Sequence, residues 1–204
     1  PMALTLTAEN QSADPVLTLY DAEGNWLAEN DDFDGLNSRI DMADSLQPGE
    51  YCVAISALSD GSLPITVTAT EYDAAAVMTG LFDRGEAAPP LDGSYPMTEL
   101  GELASRLRQD VNLGGEAAWY TFEVTEASLV LIEAIAQGQG DPVLYLYDDL
   151  GRQVGYNDDA GDGTYNSLVT VRVQPGTYLA AVRQLQPDMQ GFIRLVFERY
   201  VPAP

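Results

Sequence analysis

The stretch Asp14-Pro-Val-Leu-Thr-Leu-Tyr-Asp21 returns later in the chain as Asp141-Pro-Val-Leu-Tyr-Leu-Tyr-Asp148. Two further pairs of motifs follow in the same order, namely Asn30-Asp-Asp32 with Asn157-Asp-Asp159, and Pro48-Gly-Glu-Tyr51 with Pro175-Gly-Thr-Tyr178. This order indicates an internal tandem repeat. The repeat predicts two domains of one fold, each with its own core.

The composition limits the partners that this chain can bind. Its 204 residues include 32 acidic and nine basic residues, all nine being arginine, and the formal net charge is −23. Nucleic acid and anionic membranes attract basic proteins, so we expect neither as a partner. No apolar run is long enough to span a bilayer, so we expect no membrane insertion. The excess of carboxylates favours a bound cation or a salty exterior.

Apolar and polar residues alternate in short runs that are separated by Gly, Pro, Asn and Asp. A period of two is typical of antiparallel strands. The chain is therefore predicted to be all-β, with two tandem antiparallel β-sandwich (jelly-roll-like) domains. The strands predicted in the second repeat are 106–112, 118–124, 129–135, 143–147, 153–156, 168–173, 177–182 and 192–198.

The first repeat is incomplete at its N-terminal side. By sequence offset, Leu4 and Leu6 are the counterparts of Leu131 and Glu133. Nothing before them matches Trp119-Tyr-Thr-Phe122 of the second repeat. The first domain is therefore predicted to lack its N-terminal strands.

Composition then divides the chain into three parts. Residues 1–72 are the first repeat and residues 98–204 the second. Residues 73–97 contain an alanine run, Pro89-Pro90 and scattered glycines, which predict a linker with little structure of its own. Residues 98–107 fit a short helix as well as they fit extended chain.

A sandwich that lacks strands exposes core residues and an unpaired strand edge. Either the linker folds back over this edge, with Val77, Met78, Leu81 and Phe82 as its apolar patch, or a second molecule covers it. The first arrangement predicts a monomer and the second a strand-exchanged dimer. The single cysteine, Cys52, is predicted to be a small buried apolar residue.

Two equivalent loops concentrate aspartate and asparagine. Ca²⁺ prefers about six to eight oxygen ligands, and closely spaced Asp and Asn with a Gly for the bend can provide them. The chain has no His and one Cys, which excludes the usual soft-metal sites. The predicted calcium ligands are Asp14, Asn30, Asp31, Asp32, Asp34 and Asn37 in the first repeat, and Asp141, Asn157, Asp158, Asp159, Asp162 and Asn166 in the second.

The alternative is that these loops are hairpin connections in which Asn, Asp and Gly supply turn geometry and solubility. Both copies keep Asn-Asp-Asp, an Asp before a Gly, and a closing Asn-Ser, although the loops differ in length. That agreement favours cation binding over turn chemistry alone. By contrast, Asp21-Ala-Glu-Gly24 and Asp148-Asp-Leu-Gly151 are predicted to be plain β-turns.

The ordered motifs, with Trp119-Tyr-x-Phe122 before them in the second repeat, resemble the bacterial pre-peptidase C-terminal domain. The resemblance covers residues 3–72 and 105–200. It implies a β-sandwich or jelly roll that is appended to secreted proteases and other exported proteins. It also implies kinship with the calcium-dependent collagen-binding domains of clostridial collagenases. One departure is Glu116-Ala-Ala118, where many family members have an Asp before the Trp-Tyr motif.

These observations predict a non-catalytic, calcium-binding accessory module of a secreted, periplasmic or cell-surface bacterial protein. Its expected partners are calcium ions and an extracellular protein or polysaccharide. The alternative is a structural repeat of a surface adhesin that calcium makes rigid. An enzyme is not expected, because the usual nucleophilic triads need His, Lys or a paired Cys, which this chain lacks.

Overall fold

The computed structural model describes residues 1–33, 35–161, 163–186 and 189–201. The chain divides into two compact units, residues 1–77 and residues 78–204. The strands of the first unit are β1 (Met2–Glu9), β2 (Pro15–Asp21), β3 (Trp26–Asn30), β4 (Ser38–Leu46), β5 (Tyr51–Ala57) and β6 (Thr66–Glu71). Helix α1 (Ala74–Asp83) follows. The strands of the second unit are β7 (Thr98–Glu102), β8 (Arg106–Leu113), β9 (Ala118–Val124), β10 (Ser128–Gln137), β11 (Pro142–Asp148), β12 (Gln153–Asn157), β13 (Ser167–Val173), β14 (Gly176–Gln184) and β15 (Gly191–Tyr200).

The first unit consists of two three-stranded antiparallel sheets, in the orders β4-β1-β6 and β3-β2-β5. Apolar side chains from both sheets form a small core, which consists of Leu6, Ala8, Leu17, Leu19 and Ile40. Strands β5 and β6 are edge strands, and neither contains a buried residue. Cys52 lies on β5 and is exposed, so the prediction that it is buried is wrong. It lies opposite Tyr20 and points away from the core, on the face where its counterpart Leu179 packs in an apolar cluster with Trp119 in the second unit.

The second unit is larger, with a four-stranded sheet β13-β10-β15-β8 and a five-stranded sheet β12-β11-β14-β9-β7. All eight predicted strands are present, which confirms the all-β sandwich. Among the described residues of the first unit, no strand corresponds to β8 or β9. At the centre of the core, Phe122 stacks on Tyr178 and meets Phe197 edge to face, with ring centroids 5.8 and 5.6 Å apart.

The strand registers correct one detail of the repeat. Sequence offset paired Leu6 with Glu133, but Leu6 is buried and Glu133 only partly so. Ser38 and Ser167 occupy equivalent places in β4 and β13. Two residues later, Ile40 pairs with Leu6 and Val169 pairs with Ile132, so Leu6 is the structural counterpart of Ile132. A shift of one residue exchanges the two faces of a strand, so only the pairing with Ile132 keeps Leu6 in the core.

Residues 84–97, which we call the strap, lie on the outer face of the five-stranded sheet of the second unit. The Trp119 indole donates a hydrogen bond to the Phe82 carbonyl at 2.8 Å, and the Tyr147 hydroxyl donates to the Gly85 carbonyl at 2.7 Å. Gly85 has a φ of +71°, and a Cβ there would lie 3.2 Å from the Tyr145 ring. Glycine is therefore required where the strap approaches the sheet.

A second apolar cluster anchors the strap. The sheet contributes the buried side chains of Trp119, Tyr147, Leu179 and Ala181, and the strap contributes Ala88, Tyr95 and Met97. The linker prediction for residues 73–97 therefore differs from the structure, in which residues 78–97 belong to the second unit. Phe82, part of the apolar patch expected to cover the first repeat, packs within the second unit against Tyr95, with ring centroids 5.3 Å apart. Closure of the first repeat by the linker or by a second molecule stays a prediction.

Residues 98–107 contain strand β7, a bend and the beginning of β8, which decides against the short helix. Strand β7 pairs in parallel with β9, with Thr98 opposite Tyr120. Leu103 is fully buried, and its amide donates to the Glu123 carbonyl at 2.9 Å. Tertiary pairing thus overrides the apolar spacing that suggested a helix. Among the described residues, no helix has the length and apolar character that crossing a membrane requires.

The strap predicts a specific resistance to proteolysis. The Arg84 carbonyl accepts a hydrogen bond from the Arg183 guanidinium at 2.9 Å, so trypsin should leave the bond after Arg84 intact in the folded protein. Trp119→Ala removes the anchor and should cost about 3 kcal/mol or more. Limited trypsin digestion read by mass spectrometry should therefore show cleavage after Arg84 in the variant first. Equal rates in both proteins would contradict this role of the strap.

Candidate metal site in the acidic loops

The predicted ligands lie at one end of each sandwich. In the first unit, Asp14 immediately precedes β2, and Asp31 and Asp32 immediately follow β3. Strands β2 and β3 are antiparallel neighbours, with Leu17 opposite Asn30, so the two segments meet at the same sheet end. The second unit repeats this arrangement with Asp141 before β11 and Asp158 and Asp159 after β12. Asp34 and Asp162 lie outside the described residues.

The first asparagine of each motif joins two strands. The Asn30 Oδ1 atom accepts a hydrogen bond from the Arg39 amide at 2.8 Å, and the Asn30 Nδ2 group donates to the Asp32 carbonyl at 3.1 Å. Asn157 makes the same pair of bonds, from the Leu168 amide at 2.8 Å and to the Asp159 carbonyl at 3.0 Å. Each asparagine therefore holds the beginning of its loop against the strand that leaves it.

The closing Asn-Ser pair fixes the other end of each loop. In the first unit, the Asn37 Oδ1 atom accepts from the Asn10 amide at 3.0 Å. The adjacent Ser38 hydroxyl is buried and lies within hydrogen-bond distance of the Pro15 and Asp31 carbonyl oxygens. The second unit repeats these contacts, with Asn166 bonded to the Ala136 amide and Ser167 in contact with the Pro142 and Asp158 carbonyls.

The four asparagines and two serines thus explain why the motif occurs in both copies. They satisfy main-chain groups and hold the loops, which is the structural role that turn chemistry predicted. Each asparagine oxygen is already bonded to an amide, so these residues are weaker candidates for metal ligands than the aspartates. The plain β-turns are confirmed, since the Gly24 amide donates to the Asp21 carbonyl at 3.1 Å and the Gly151 amide to the Asp148 carbonyl at 3.0 Å.

The aspartates are the remaining candidates for metal ligands. Partial burial raises the pKa of Asp141, and repulsion from Asp159 and then Asp158 raises it further. In the first unit, Asp14 has a φ of +58°, and its carboxylate accepts a hydrogen bond from the Ser59 hydroxyl at 3.3 Å. Among the described residues, none of the ion pairs involves these loop aspartates.

The carboxylates of the acidic loops are not gathered around one point. Over residues 1–33, 35–161, 163–186 and 189–201, no three acidic side chains converge closely enough to enclose a metal ion. The structure therefore groups Asp141, Asp158 and Asp159 electrostatically without forming a closed ligand shell around them. Calcium ligation by the loop residues stays a prediction.

Sequence reasoning missed one residue at this end of the second unit. Gln184 is fully buried at the end of β14, and its Oε1 atom accepts a hydrogen bond from the Asp141 amide at 2.9 Å. Its Nε2 group has no partner among the described residues. The first repeat has Ala57 at the same place, since Pro15 pairs with Ala57 as Pro142 pairs with Gln184. The available signal was the polar Gln184 at a position where the first repeat has the apolar Ala57.

The loop serines generate a stability prediction. Ser38→Ala and Ser167→Ala each remove a buried hydroxyl from two carbonyl oxygens and should cost about 1–3 kcal/mol. Thermal unfolding should show lower melting temperatures for both variants. Ser45→Ala, at an exposed position on β4, is the matched control and should change stability by less than about 0.5 kcal/mol. Melting curves of Ser38→Ala that overlay those of the control would contradict the assignment.

Asp141 generates a pH prediction. Because its pKa in the folded state lies above the ordinary value of 3.8, its ionisation disfavours the folded protein. That penalty is absent below this ordinary pKa and develops as the pH rises. Asp141→Asn should therefore unfold at a higher temperature than the parent at pH 7 in chelator, with the difference vanishing near pH 3. A variant that is less stable than the parent at pH 7 would contradict the repulsion.

Comparison with known proteins agrees with the motifs. Residues 116–184 match the family model of the bacterial pre-peptidase C-terminal domain.

The pre-peptidase C-terminal domain of a collagenase from Bacillus anthracis is 18% identical, with 51% of this chain and 99% of that chain covered and a TM-score of 0.40. PliG from Aeromonas hydrophila, a periplasmic inhibitor of g-type lysozyme, is 14% identical, with 51% and 97% covered and a TM-score of 0.40. A β-1,3-glucan-binding module from Bacillus halodurans is 13% identical, with 52% and 100% covered and a TM-score of 0.33. No curated protein matches the chain. Residues 116–184, which lie in the second unit, are therefore similar to the bacterial pre-peptidase C-terminal domain.

Proposed function

We propose that this chain is a non-catalytic accessory module of a secreted, periplasmic or cell-surface protein, and that it binds Ca²⁺ through the aspartates of its acidic loops. The family match supports the accessory role and the exported setting. The observation that supports calcium is the electrostatic grouping of Asp141, Asp158 and Asp159, which raises the pKa of Asp141. A divalent cation would relieve this repulsion.

The loop scaffold supports the same proposal. Asn157 and Ser167 hold the main chain on both sides of Asp158 and Asp159 through bonds of 2.8–3.0 Å. The carboxylates therefore need little main-chain ordering to meet an ion, which lowers the entropic cost of binding. Because the aspartates in the described part of each loop form no ion pairs, no arginine has to be displaced first.

Two roles are compatible with this chemistry. The module can hold a secreted enzyme on an extracellular protein or polysaccharide, or calcium can stiffen a series of such repeats in a surface adhesin. The tandem repeat within this chain favours the second role, whereas the family match favours the first. Retention on insoluble collagen or polysaccharide in calcium, with release by chelator, would support attachment. Equal recovery in both buffers would favour the structural role.

Calcium should stabilise the fold by mass action. If the dissociation constant lies in the range of extracellular modules, about 10⁻⁴ to 10⁻³ M, then 5 mM Ca²⁺ should add about 1 to 2 kcal/mol over chelator. Differential scanning calorimetry measures this as a rise of several degrees in melting temperature. Identical curves in calcium and chelator would remove the metal proposal.

The two loops can be separated by mutation. Asp32→Ala should weaken binding to the first unit and Asp159→Ala to the second, and calorimetric titration should count one site fewer in each. Asp149→Ala, at an exposed turn position, removes the same charge outside the loops and is the matched control. Asp141→Asn should lose the calcium response of the second unit although it is the more stable protein in chelator. Unchanged stoichiometry in both loop variants would show that the loops are turns only.

A further inference from the structure

A cleft of about 490 Å³ lies on the second unit, between the end of the strap and the five-stranded sheet. The strap contributes the apolar side of this cleft, with Leu91, Tyr95 and Met97 among the residues that line it. Tyr95 is held in place because its hydroxyl donates a hydrogen bond to the Asp83 carboxylate at 2.7 Å. None of the described loop aspartates lines the cleft, so it is separate from the candidate calcium sites.

The sheet contributes a polar floor, which consists of Glu99 on β7, Thr121 and Glu123 on β9, and Thr177 on β14. Glu99 pairs with Thr121, and Thr177 pairs with Glu123. Thr121 also lies opposite Leu179, which belongs to the apolar cluster that anchors the strap. Paired residues on neighbouring strands share a face of the sheet, as do alternate residues along one strand. All four side chains therefore lie on the face that the strap partly covers.

The polar groups of this floor are not satisfied by their neighbours. Thr121 is only 9% exposed, yet neither its hydroxyl nor that of Thr177 forms a hydrogen bond with a described residue. A side-chain hydroxyl that is nine-tenths buried normally has a partner. Glu99 and Glu123 are exposed, and neither takes part in an ion pair with a described residue. Two carboxylates and two hydroxyls are therefore available to a ligand.

The charge of the cleft decides which class of ligand fits it. None of the nine arginines lines the cleft, and the chain has no lysine or histidine, so the two carboxylates are not neutralised. An anion would be repelled, and an apolar molecule would leave the carboxylates and hydroxyls without partners. The matching ligand has a cationic tip for the floor and an apolar stem for the side that the strap forms.

An arginine side chain has both properties. Its planar guanidinium carries five N–H donors and can bond a carboxylate through two of them, while its methylene stem packs on apolar surface. A guanidinium is also attracted to the face of a tyrosine ring such as that of Tyr95. The net charge of −23 attracts basic polypeptides over longer distances, which makes a protein the fitting source of this side chain.

We propose that this cleft binds an arginine side chain of a partner polypeptide. The guanidinium donates hydrogen bonds to the carboxylates of Glu99 and Glu123 and to the Thr121 hydroxyl. The methylene stem packs against Tyr95 and Met97. The site needs no calcium, so its failure and the failure of the calcium proposal are separate outcomes.

The probe is the peptide acetyl-Gly-Arg-Gly-amide, titrated into the full chain and followed by the amide chemical shifts of the protein. The shifts should change at Glu99, Thr121, Glu123 and Thr177, with a dissociation constant on the order of 1 mM and weaker binding at high salt. The same peptide with citrulline in place of arginine keeps the shape and loses the charge, so it should not bind. A lysine peptide should bind at least about fivefold more weakly, because it lacks the planar fork.

Variants of the chain locate the site. Glu99→Gln and Glu123→Gln should each weaken arginine binding by about tenfold, and both positions are exposed, so the fold is retained. Thr121→Val removes a hydroxyl without a described partner, so it should weaken binding without lowering the melting temperature. Glu50→Gln, at an exposed position of the first unit, removes the same charge elsewhere and should bind like the parent.

Three results would overturn the proposal. The first is the absence of chemical-shift changes at about 20 mM arginine peptide. The second is equal binding of the citrulline or the lysine peptide. The third is binding that the double variant Glu99→Gln, Glu123→Gln leaves unchanged.

Discussion

Strand β9 is hydrogen-bonded to β14 along seven residue pairs, and it contributes apolar side chains to clusters on both faces of its sheet. Its inner face places Tyr120 and Phe122 in the main core, and its outer face places Trp119 under the strap. A strand buried on both faces joins two apolar clusters into one unit. The first unit has no strand at this position, and its edge strands remain uncovered. The difference between the two repeats follows from this strand and from β8, which precedes it in the chain and pairs with β15 in the other sheet.

The acidic loops combine a scaffold with a candidate site. Asparagine and serine side chains bind main-chain groups at both ends of each loop, so they fix the path of the chain whether or not a cation is bound. The aspartates between these positions then lie near one another without basic partners among the described residues. In the second unit, the repulsion that raises the pKa of Asp141 is a cost that folding tolerates, as sites that bind charged ligands often show. The same motif therefore serves structure and the proposed chemistry through different residues.

Where the structure differs from the expectation drawn from the repeats, the difference has a physical cause. Offset alignment misplaced β1 by one residue, since the alignment ignores which face of a strand is buried. The segment 73–97 looked like a linker because alanine, proline and glycine have weak strand preferences. Its main-chain carbonyls accept hydrogen bonds from the distant side chains of Trp119, Tyr147 and Arg183. A local sequence pattern cannot predict such long-range contacts. Cys52 looked buried because it lies in an apolar run, but it is on the outer face of its sheet, where its counterpart Leu179 packs with Trp119 and strap residues in the second unit.

The sequence by itself determined the all-β class, the tandem repeat, the strands of the second repeat and the position of the acidic loops. These features follow from local periodicity and turn residues, which act over a few positions. Only the tertiary structure decided that residues 98–107 contain strand β7, that the strap belongs to the second unit, and that Asn30, Asn37, Asn157 and Asn166 bind the main chain. It also decided that β5 and β6 are open edges. Those outcomes depend on strand pairing and on contacts between residues far apart in the chain, which local patterns do not encode.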